Sequence, residues 1–134
     1  MLNPLHVLQR ARLVLQRDAT LATVMHTLAE LHGTRRLVEE ADGGLSISVQ
    51  QAAKRVGRWA GGIAEQCAPG DRVVIATPNG YEQFLLCLAA SRAGAIPVPI
   101  NPQMRPEEVA HVRRDCDAAL LVHSPAEVDR KSGV

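Results

Sequence analysis

The chain has 134 residues, of which 46% are hydrophobic and 22% are charged, and its formal net charge is +1. This length and composition are typical of one globular domain with a buried core, and they exclude a disordered or fibrous protein. The small net charge gives no field that would attract nucleic acid, and an aromatic content of 2% provides no stacking surface for single strands. We therefore expect no nucleic-acid partner.

The cysteines and the N-terminal residues bear on the compartment. Cys67, Cys87 and Cys116 are scattered without metal-ligand spacing, which is typical of reduced and mostly buried thiols. Polar residues interrupt the apolar character of residues 1–17, which argues against a secretory signal peptide, and no apolar run is long enough to span a bilayer. The sequence predicts a soluble, cytoplasmic protein.

Residues 1–34 form the predicted N-terminal helical segment. Apolar residues at helical spacing predict a basic amphipathic helix over residues 4–17. We favour its packing on its own domain over contact with a membrane surface or a partner. A second helix follows, with Thr20 as N-cap and Gly33 as its end signal. Its predicted apolar stripe consists of Leu21, Val24, Met25, Leu28 and Leu31.

A β-hairpin is predicted next. Residues 35–39 and 45–49 are two strand-like runs, and the sequence Ala-Asp-Gly-Gly lies between them at residues 41–44. An Asp-Gly pair between two such runs is a signal for a tight turn. This hairpin opens an α/β region that we expect to extend over residues 35–123.

Two capping-box patterns mark the starts of the next two helices. Ser48 with Gln51, and Asn79 with Glu82, each place an oxygen acceptor before a helix and a second acceptor three residues later. Gly94 lies where the second helix requires a left-handed C-cap. The first predicted apolar stripe consists of Ala52, Val56, Trp59, Ala60, Ile63 and Ala64. The second consists of Tyr81, Phe84, Leu85, Leu88 and Ala89.

Three short apolar runs alternate with these helices, at residues 72–76, 96–100 and 118–122. A further helix starts at Pro106, has acidic residues in its first turn, and is expected to bury Val109, Val112 and Cys116. The alternation predicts a β-α-β-α-β unit with a parallel, Rossmann-like sheet and flanking helices.

The run at residues 96–100 contains Pro97 and Pro99, which is unusual in a strand. Successive N–H groups of a strand point to opposite sides, so both prolines remove donors from the same side. The strand can then pair fully along one side only, which predicts a border position in the sheet. The loop at residues 100–106 follows the carboxyl end of this strand, where ligands gather in open α/β sheets.

The run GDRVVIATPNGYEQFLLCLAASRAGAIPVPINPQMRPEEVAHVRRDCDAALLV, residues 70–122, resembles the N-terminal part of the adenylate-forming acid ligases, which include acyl-CoA synthetases and fatty-acyl-AMP ligases. The likeness rests on the ordered set G-D-R-V, P-N, A-G-A, V-P-I-N-P, P-E-E and D-x-x-A, and it covers about residues 35–123. It implies an incomplete N-terminal subdomain of that fold. Complete enzymes of this family activate a carboxylate with ATP and magnesium, and then transfer the acyl group to a thiol, usually that of coenzyme A.

The chain departs from the family pattern in two respects. Arg105 stands before P-E-E, where the family usually has a Ser or Thr that caps the helix, and Arg has no oxygen acceptor. The Ser/Thr/Gly-rich phosphate loop that ends in Lys is missing, as are the later nucleotide, magnesium and catalytic segments that the resemblance implies. Lys131-Ser132-Gly133 lacks the preceding glycines, and we interpret it as a chance match.

Several other side chains carry reactive groups. His123 and Ser124 follow the last strand, but they have no acidic orienting residue and no nucleophile elbow, so we expect a solvated loop rather than a catalytic pair. Glu107 and Glu108 are adjacent on a helix, where we expect their negative charges to interact with the positive end of the helix dipole. His26 is expected at the border of the apolar face of its helix. Cys87 and Cys116 are expected in the core. The sequence therefore nominates no catalytic, cofactor-binding or metal-binding residue.

The sequence predicts an N-terminal fragment of an ATP-dependent carboxylic acid ligase, with a fatty acid as the first expectation for the substrate. We expect the fragment alone to be structural and inactive, with no bound cofactor, and residues 124–134 to lead into the missing remainder. The expected partners are that remainder or a second copy through exposed apolar surface.

Two alternatives stay open. One is a ligase remnant that serves as a protein-interaction module. The other is a small Rossmann-type nucleotide binder, which is disfavoured because the turn at residues 77–80 has one glycine and contains Pro78.

Overall fold

The computed structural model describes residues 3–15 and 20–130. The chain divides into two compact units, Met1–Ala53 and Lys54–Val134, and the boundary falls within a helix that begins in the first unit and continues in the second.

The first unit contains two helices, α1 (Pro4–Leu15) and α2 (Leu21–His32). Residues 16 and 17 of the first predicted helix lie outside the described residues. Leu5, Leu8 and Leu15 on α1 are 65%, 68% and 77% exposed, so the expected packed face is not observed for these side chains. On α2, Met25 and Leu31 are buried, whereas Leu21 is exposed because it is the first residue of the helix.

Thr20 is the N-cap of α2, as predicted, and its carbonyl oxygen accepts from the Thr23 and Val24 N–H groups at 3.1 Å. Thr20 occupies the N-cap position with an extended backbone, but its side chain makes no capping hydrogen bond. Instead, its backbone N–H donates to the hydroxyl of Thr23 at 3.4 Å. His26 is exposed, as expected for a border residue, and its Nε2 lies 3.3 Å from Glu30 Oε1.

The predicted hairpin is present as β1 (Arg36–Glu39) and β2 (Ser46–Ser48), which pair antiparallel. Its turn uses the predicted pair: Gly43 has φ +76°, and Asp42 Oδ1 accepts a hydrogen bond from the N–H of Gly44 at 3.0 Å. Val49, predicted as the last strand residue, is instead the first residue of α3 (Val49–Ala64).

The first capping box explains why β2 ends at Ser48. Gln51 Oε1 accepts from the Ser48 N–H at 2.9 Å, and Ser48 Oγ accepts from the Gln51 N–H at 3.2 Å. These two bonds satisfy donors at the start of α3. The α3 stripe is buried as predicted at Ala52, Val56, Trp59, Ala60 and Ile63, whereas Ala64, the last helical residue, is exposed.

The second unit contains the predicted parallel sheet, with strand order β4-β3-β5. Its strands are β3 (Arg72–Ile75), β4 (Ile96–Pro99) and β5 (Ala118–Val122), and its connecting helices are α4 (Tyr81–Arg92) and α5 (Pro106–Asp115). Both neighbours of β3 are parallel to it. Val73, Val74 and Ile75 in the central strand are fully buried, which accounts for its continuous apolar sequence.

The border position predicted for the proline-containing strand is confirmed. β4 pairs only with β3 among the described strands, and the N–H groups of Ile96 and Ile100 donate to Asp71 O and Ile75 O at 2.8 and 3.0 Å. Pro97 and Pro99 alternate with these donors, so the nitrogens that lack hydrogen face the unpaired side of the strand.

The start of α4 corrects the second capping-box prediction. The N-cap is Gly80, and the helix begins at Tyr81, so Asn79 lies one position too early to cap it and Glu82 lies in the first turn. Phe84 is 56% exposed, contrary to its predicted place in the stripe, and Leu86 is fully buried in its stead.

The C-terminus of α4 follows its predicted signal. Gly94, which follows the C-cap residue Ala93, has φ +82°, the left-handed conformation expected of a glycine at the end of a helix. The N–H of the preceding Ala93 bonds to the carbonyl of Ala89 at 2.9 Å.

Helix α5 begins at Pro106 as predicted, and its N-terminus shows how the chain tolerates Arg105. The carboxylate of Glu108 accepts a hydrogen bond from the Arg105 backbone N–H at 2.7 Å. Val109, Val112 and Cys116 are only half-buried, in contrast to their predicted core positions, because α5 lies beside an edge strand and borders an open cleft.

The segment after β5 folds back onto α3. Val128 is 2% exposed, and its carbonyl oxygen lies so close to Gly62 that a Cβ there would be 1.8 Å away. Two ion pairs flank this contact. Arg58 Nε lies 3.0 Å from Asp129 Oδ1, and Arg130 Nη2 lies 2.7 Å from the carboxylate of Glu65.

Candidate functional site

An open cleft lies at the carboxyl ends of the three parallel strands. Its volume is about 360 Å³, and its lining includes Ala76 after β3, Asn101 after β4, and Leu121 and His123 at the end of β5. This edge of an α/β sheet is where ligands generally bind, and the volume lies at the lower end of the range for small-molecule pockets. The cleft is therefore the candidate binding site of the second unit.

The walls of the cleft are mainly apolar. Met104 from the β4–α5 loop, Val109 and Ala110 from α5, and Leu121 from β5 face the space. Their half-buried state follows from this geometry, since one side of each residue packs against the protein and the other borders the cleft. The sequence placed a ligand loop at residues 100–106, and the cleft includes part of it, but its α5 wall was not predicted.

Three polar side chains complete the lining: Asn101, Arg113 and His123. The Oδ1 atom of Asn101 accepts a hydrogen bond from the Gln103 N–H at 2.9 Å, so this side chain shapes its own loop. Arg113 and His123 are exposed, and neither side chain has a partner among the residues that the structure describes. Because no described lining residue is acidic, the cleft favours anions over cations.

Gln83 connects the two turns at this edge of the sheet. Its Nε2 lies 3.3 Å from the carbonyl oxygen of Thr77, after β3, and 3.4 Å from that of Ile100, after β4. One amide group on α4 therefore donates to both loops. This connection has no short-range sequence signal, because the two acceptors are separated by 23 residues along the chain.

The turn at residues 77–80 has the features that disfavour a nucleotide-binding turn. Pro78 lacks an N–H, and no lysine is present in the turn. Thr77 is fully buried, and its hydroxyl has no hydrogen-bond partner among the described groups. Nearby, Arg55 Nη1 donates to the Tyr81 hydroxyl at 3.4 Å, and that hydroxyl donates to Glu82 at 3.2 Å.

His123 and Ser124 lie at the end of β5, and each has a local structural role. The backbone N–H of His123 donates to the carboxylate of Glu127 at 3.3 Å. Ser124 Oγ accepts from the Ala126 N–H at 3.3 Å and so caps the 3-10 turn Pro125–Glu127. Within the described residues the two side chains form no hydrogen bond with each other, so they do not constitute a nucleophile and base.

The cysteines do not provide an activated nucleophile. All three are free and half-buried, so Cys87 and Cys116 are less buried than the core positions that were predicted for them. Burial raises the pKa of the Cys87 thiol. Burial also raises the pKa of Cys67, and the negative charge of Asp71 adds to the increase. A raised pKa favours the neutral thiol, which is the less nucleophilic form.

No group of three His, Cys, Asp or Glu residues that could hold a metal ion occurs within residues 3–15 and 20–130. Lys131-Ser132-Gly133 lies outside the described residues. In the same ranges, no helix is long and apolar enough to cross a membrane. The geometry thus provides a small, mainly apolar cleft with Arg113 and His123 at its rim.

Solved structures share this fold. The N-terminal domain of FACL13 from Mycobacterium tuberculosis matches 81% of the chain with a TM-score of 0.73 at 23% identity, and the match spans 28% of that protein. A putative long-chain-fatty-acid CoA ligase from Rhodopseudomonas palustris matches 80% of the chain with a TM-score of 0.68 at 30% identity, over 27% of its length.

Curated relatives agree with these structures. A feruloyl-CoA synthase from Amycolatopsis is 33% identical over 88 residues, which is 65% of this chain and 18% of that protein. A salicyl-AMP ligase / salicyl-S-ArCP synthetase from Mycobacterium tuberculosis is 37% identical over 109 residues, 77% of this chain and 19% of that protein. The chain thus spans about a fifth of the length of these relatives.

The profile of one protein family, described as AMP-binding enzyme, matches residues 25–134, which include the whole parallel sheet and the candidate cleft. This confirms the resemblance that was based on the run from G-D-R-V to D-x-x-A. The chain belongs to the AMP-binding, adenylate-forming ligase family.

Proposed function

We propose that this chain forms the N-terminal α/β part of a cytoplasmic, ATP-dependent carboxylic acid ligase. Such an enzyme joins the acid to AMP and then transfers the acyl group to a thiol, with magnesium and coenzyme A as its further cofactors. The observation that carries the proposal is the family match over residues 25–134, which includes every strand of the β4-β3-β5 sheet. The role of the chain is architectural: it supplies a sheet against which the rest of the ligase folds.

The described residues do not fit a nucleoside triphosphate by themselves. Triphosphate sites combine several backbone N–H donors with a cation. In the turn after β3, Pro78 has no N–H, and in the loop after β4, Pro102 and Pro106 remove two more donors. The backbone N–H of Arg105 is already bonded to Glu108. We therefore assign the phosphate and magnesium contacts to the remainder of the ligase and derive no step through them here.

An affinity argument leads to the same result. The exposed guanidinium of Arg105 is one cation near a strand end, and a single exposed ion pair contributes about 1 kcal/mol or less. Binding with a Kd of about 1 mM requires about 4 kcal/mol. The chain alone is therefore expected to bind Mg-ATP more weakly than the millimolar range and to form no acyl-adenylate.

For the acid, we propose a fatty acid, with an aromatic acid as the second candidate. Fatty-acyl ligases occur among both the curated and the structural relatives. The aromatic candidate is favoured by the curated relatives named for ferulate, anthranilate and salicylate. An alternative role as a remnant interaction module remains a proposal that the same experiment tests.

The test compares the 134-residue chain with the longest polypeptide that its coding sequence encodes. Calorimetric titration with Mg-ATP is followed by pyrophosphate-release assays over matched sets of fatty and aromatic acids. We expect no saturable binding and no turnover from the chain, and acid-dependent pyrophosphate release from a longer polypeptide. Micromolar ATP binding by the chain alone would overturn the architectural role. A coding sequence that ends at residue 134 would favour the interaction module.

A further inference from the structure

Helix α1 carries an apolar face that the fold leaves exposed. Leu5, Leu8 and Leu15 are 65%, 68% and 77% exposed, and Val7 is 48% exposed. Among the described residues, only three other large hydrophobic side chains are exposed, and they are dispersed over α2, α4 and β4. Packing of the helix on its own domain, which the sequence favoured, does not account for these side chains. Such a cluster on one short helix is typical of an interaction surface.

Local signals specify this helix, so its exposed face is not a by-product of tertiary packing. Asn3 Oδ1 accepts a hydrogen bond from the Leu5 N–H at 3.1 Å, and the Asn3 carbonyl accepts from the Val7 N–H at 3.2 Å. Asparagine before a helix and proline at its first position, here Pro4, are both preferred at helix starts. Residues separated by three or seven positions share one side of a helix, which places the three leucines together.

The charged residues of α1 determine which surface its apolar face fits. Arg10 is exposed, and the helix sequence, PLHVLQRARLVL, contains a second arginine and no acidic residue. An apolar face with positive charge beside it is complementary to a surface that is apolar inside and negative outside, which describes a bilayer with anionic head groups. Pairing with a second copy of α1 is disfavoured, because it would bring positive charges together with no acid on either helix to offset them.

The position of α1 in the chain separates it from the ligase fold. The family profile matches residues 25–134, whereas α1 ends at Leu15. The helix therefore lies outside the part of the chain that the family shares, and the fold common to its members does not account for the exposed leucines. The apolar face of α1 thus requires a contact that is particular to this chain.

We propose that α1 binds to the surface of a membrane that contains anionic lipids, with Leu5, Leu8 and Leu15 inserted below the head groups and Arg10 at their level. The helix has 12 residues and is therefore about 18 Å long, whereas the apolar core of a bilayer is about 30 Å thick, so α1 lies along the surface. Such binding holds the chain at a lipid surface and requires neither ATP nor the rest of the ligase, so it goes beyond the proposed function.

Co-sedimentation with lipid vesicles tests the proposal on the 134-residue chain. The probes are vesicles of phosphatidylcholine alone and vesicles of equal parts of phosphatidylcholine and phosphatidylglycerol. We expect saturable binding to the anionic vesicles and binding to the neutral vesicles that is about ten- to thirtyfold weaker, because each arginine near an anionic surface contributes to the affinity. Added salt is expected to weaken binding to the anionic vesicles, because it screens this attraction.

Matched variants locate the bound face. Leu8→Gln is expected to weaken binding about five- to thirtyfold, because most of this side chain is exposed in the free chain and becomes buried in the bilayer. Phe84→Gln removes a comparably exposed apolar side chain from α4 and should leave the affinity unchanged. Arg10→Gln should weaken binding to anionic vesicles about fivefold, whereas Arg114→Gln removes an exposed positive charge from α5 and should have no effect. Far-ultraviolet circular dichroism shows whether each variant keeps its helices.

Three results would overturn the proposal. One is equal affinity for neutral and anionic vesicles. Another is a loss of affinity in Phe84→Gln or Arg114→Gln as large as that in the matching α1 variant, which would place the contact elsewhere on the chain. The last is the absence of saturable binding to anionic vesicles at millimolar lipid, which would assign the α1 face to a polypeptide partner. Failure of ATP binding or of turnover leaves all three readouts unchanged, so the two proposals fail separately.

Discussion

The close approach between Gly62 on α3 and the carbonyl of Val128 predicts opposite effects for two adjacent glycines. In a helix interior, Gly→Ala ordinarily stabilises a protein by about 0.5–1 kcal/mol, because alanine loses less backbone entropy on folding. Gly61→Ala is expected to follow this rule, since its new Cβ would lie 3.5 Å from Arg130 Cδ, which is ordinary van der Waals contact. Gly62→Ala is expected to have the opposite effect and to destabilise the protein.

The magnitude follows from the geometry of residue 62. A Cβ there would lie 1.8 Å from Val128 O, so the segment after β5 must withdraw by more than 1 Å before ordinary contact is restored. Withdrawal exposes the Val128 side chain, which is 2% exposed in the native fold and whose burial contributes about 1.5–3 kcal/mol. After the helix-propensity gain is subtracted, Gly62→Ala is expected to lower the free energy of unfolding by about 1–2 kcal/mol.

Urea unfolding followed by tryptophan fluorescence measures both variants. Trp59 is the single tryptophan of the chain, lies on the same helix, and is 3% exposed, so its emission reports the unfolding of the unit that contains the substitutions. The expected midpoints lie above the wild-type value for Gly61→Ala and below it for Gly62→Ala, with similar slopes. Equal or higher stability of Gly62→Ala would refute the packing of Val128 against α3.

Three further predictions concern single side chains. Glu108→Ala is expected to lower the melting temperature, because the Arg105 N–H loses its acceptor, which costs about 0.5–1.5 kcal/mol of stability. Glu108→Gln keeps an oxygen acceptor and should have a smaller effect. Arg105→Ser introduces a side-chain cap and should raise the melting temperature. The chain is expected to self-associate through exposed apolar surface, and sedimentation should show less association for Phe84→Gln, whose wild-type side chain is 56% exposed; a wild-type monomer at high concentration would contradict this. Cys87 should react with iodoacetamide more slowly in the native chain than in urea at pH 8, because burial raises its pKa. The stability contributed by its neutral thiol is present below the unfolded pKa, and it is lost as pH rises above about 9 through the higher folded pKa; equal alkylation rates would argue against this burial.

The parallel sheet was predictable because its signals are local. Three short apolar runs separated by amphipathic helices specify a covered parallel sheet, and the alternation of Pro97 and Pro99 with free donors specifies a border strand. Both inferences need only the residues of each element and the geometry of a strand. The left-handed Gly94 was predictable for the same reason.

The errors arose where a single position or a tertiary contact decided the outcome. Asn79 and Glu82 match a capping box in spacing, but the helix starts one residue later than that pattern requires, with Gly80 as N-cap. Phe84 is exposed and Leu86 is buried, which local spacing could not distinguish because both residues are apolar and the contact with the sheet is tertiary. The sequence did not specify what replaces the missing side-chain acceptor at Arg105. The Glu108 N–H donates to the Arg105 carbonyl at 3.0 Å, and a backbone acceptor of this kind has no sequence signal.

The candidate cleft was only partly predictable. Its general position follows from the rule that ligands bind beyond the carboxyl ends of parallel strands. Its α5 wall depends on how far the helix lies from β5, and Val109 by itself indicates only an apolar helix face. The rim pair Arg113 and His123 is separated by ten residues in the chain and is brought to one cleft by the turn between α5 and β5.

The side-chain amide of Gln83 hydrogen-bonds to two loops and thereby couples them. The amide donates to the carbonyl of Thr77 after β3 and to that of Ile100 after β4. A displacement of the loop that begins at Asn101 is therefore expected to shift the first turn of α4 as well. A change in the loop at Asn101 is also expected to reach Thr77, which follows the central strand, through the Gln83 amide. Because one side-chain amide makes both bonds, Gln83→Leu is expected to uncouple the two loops while the sheet below them stays intact.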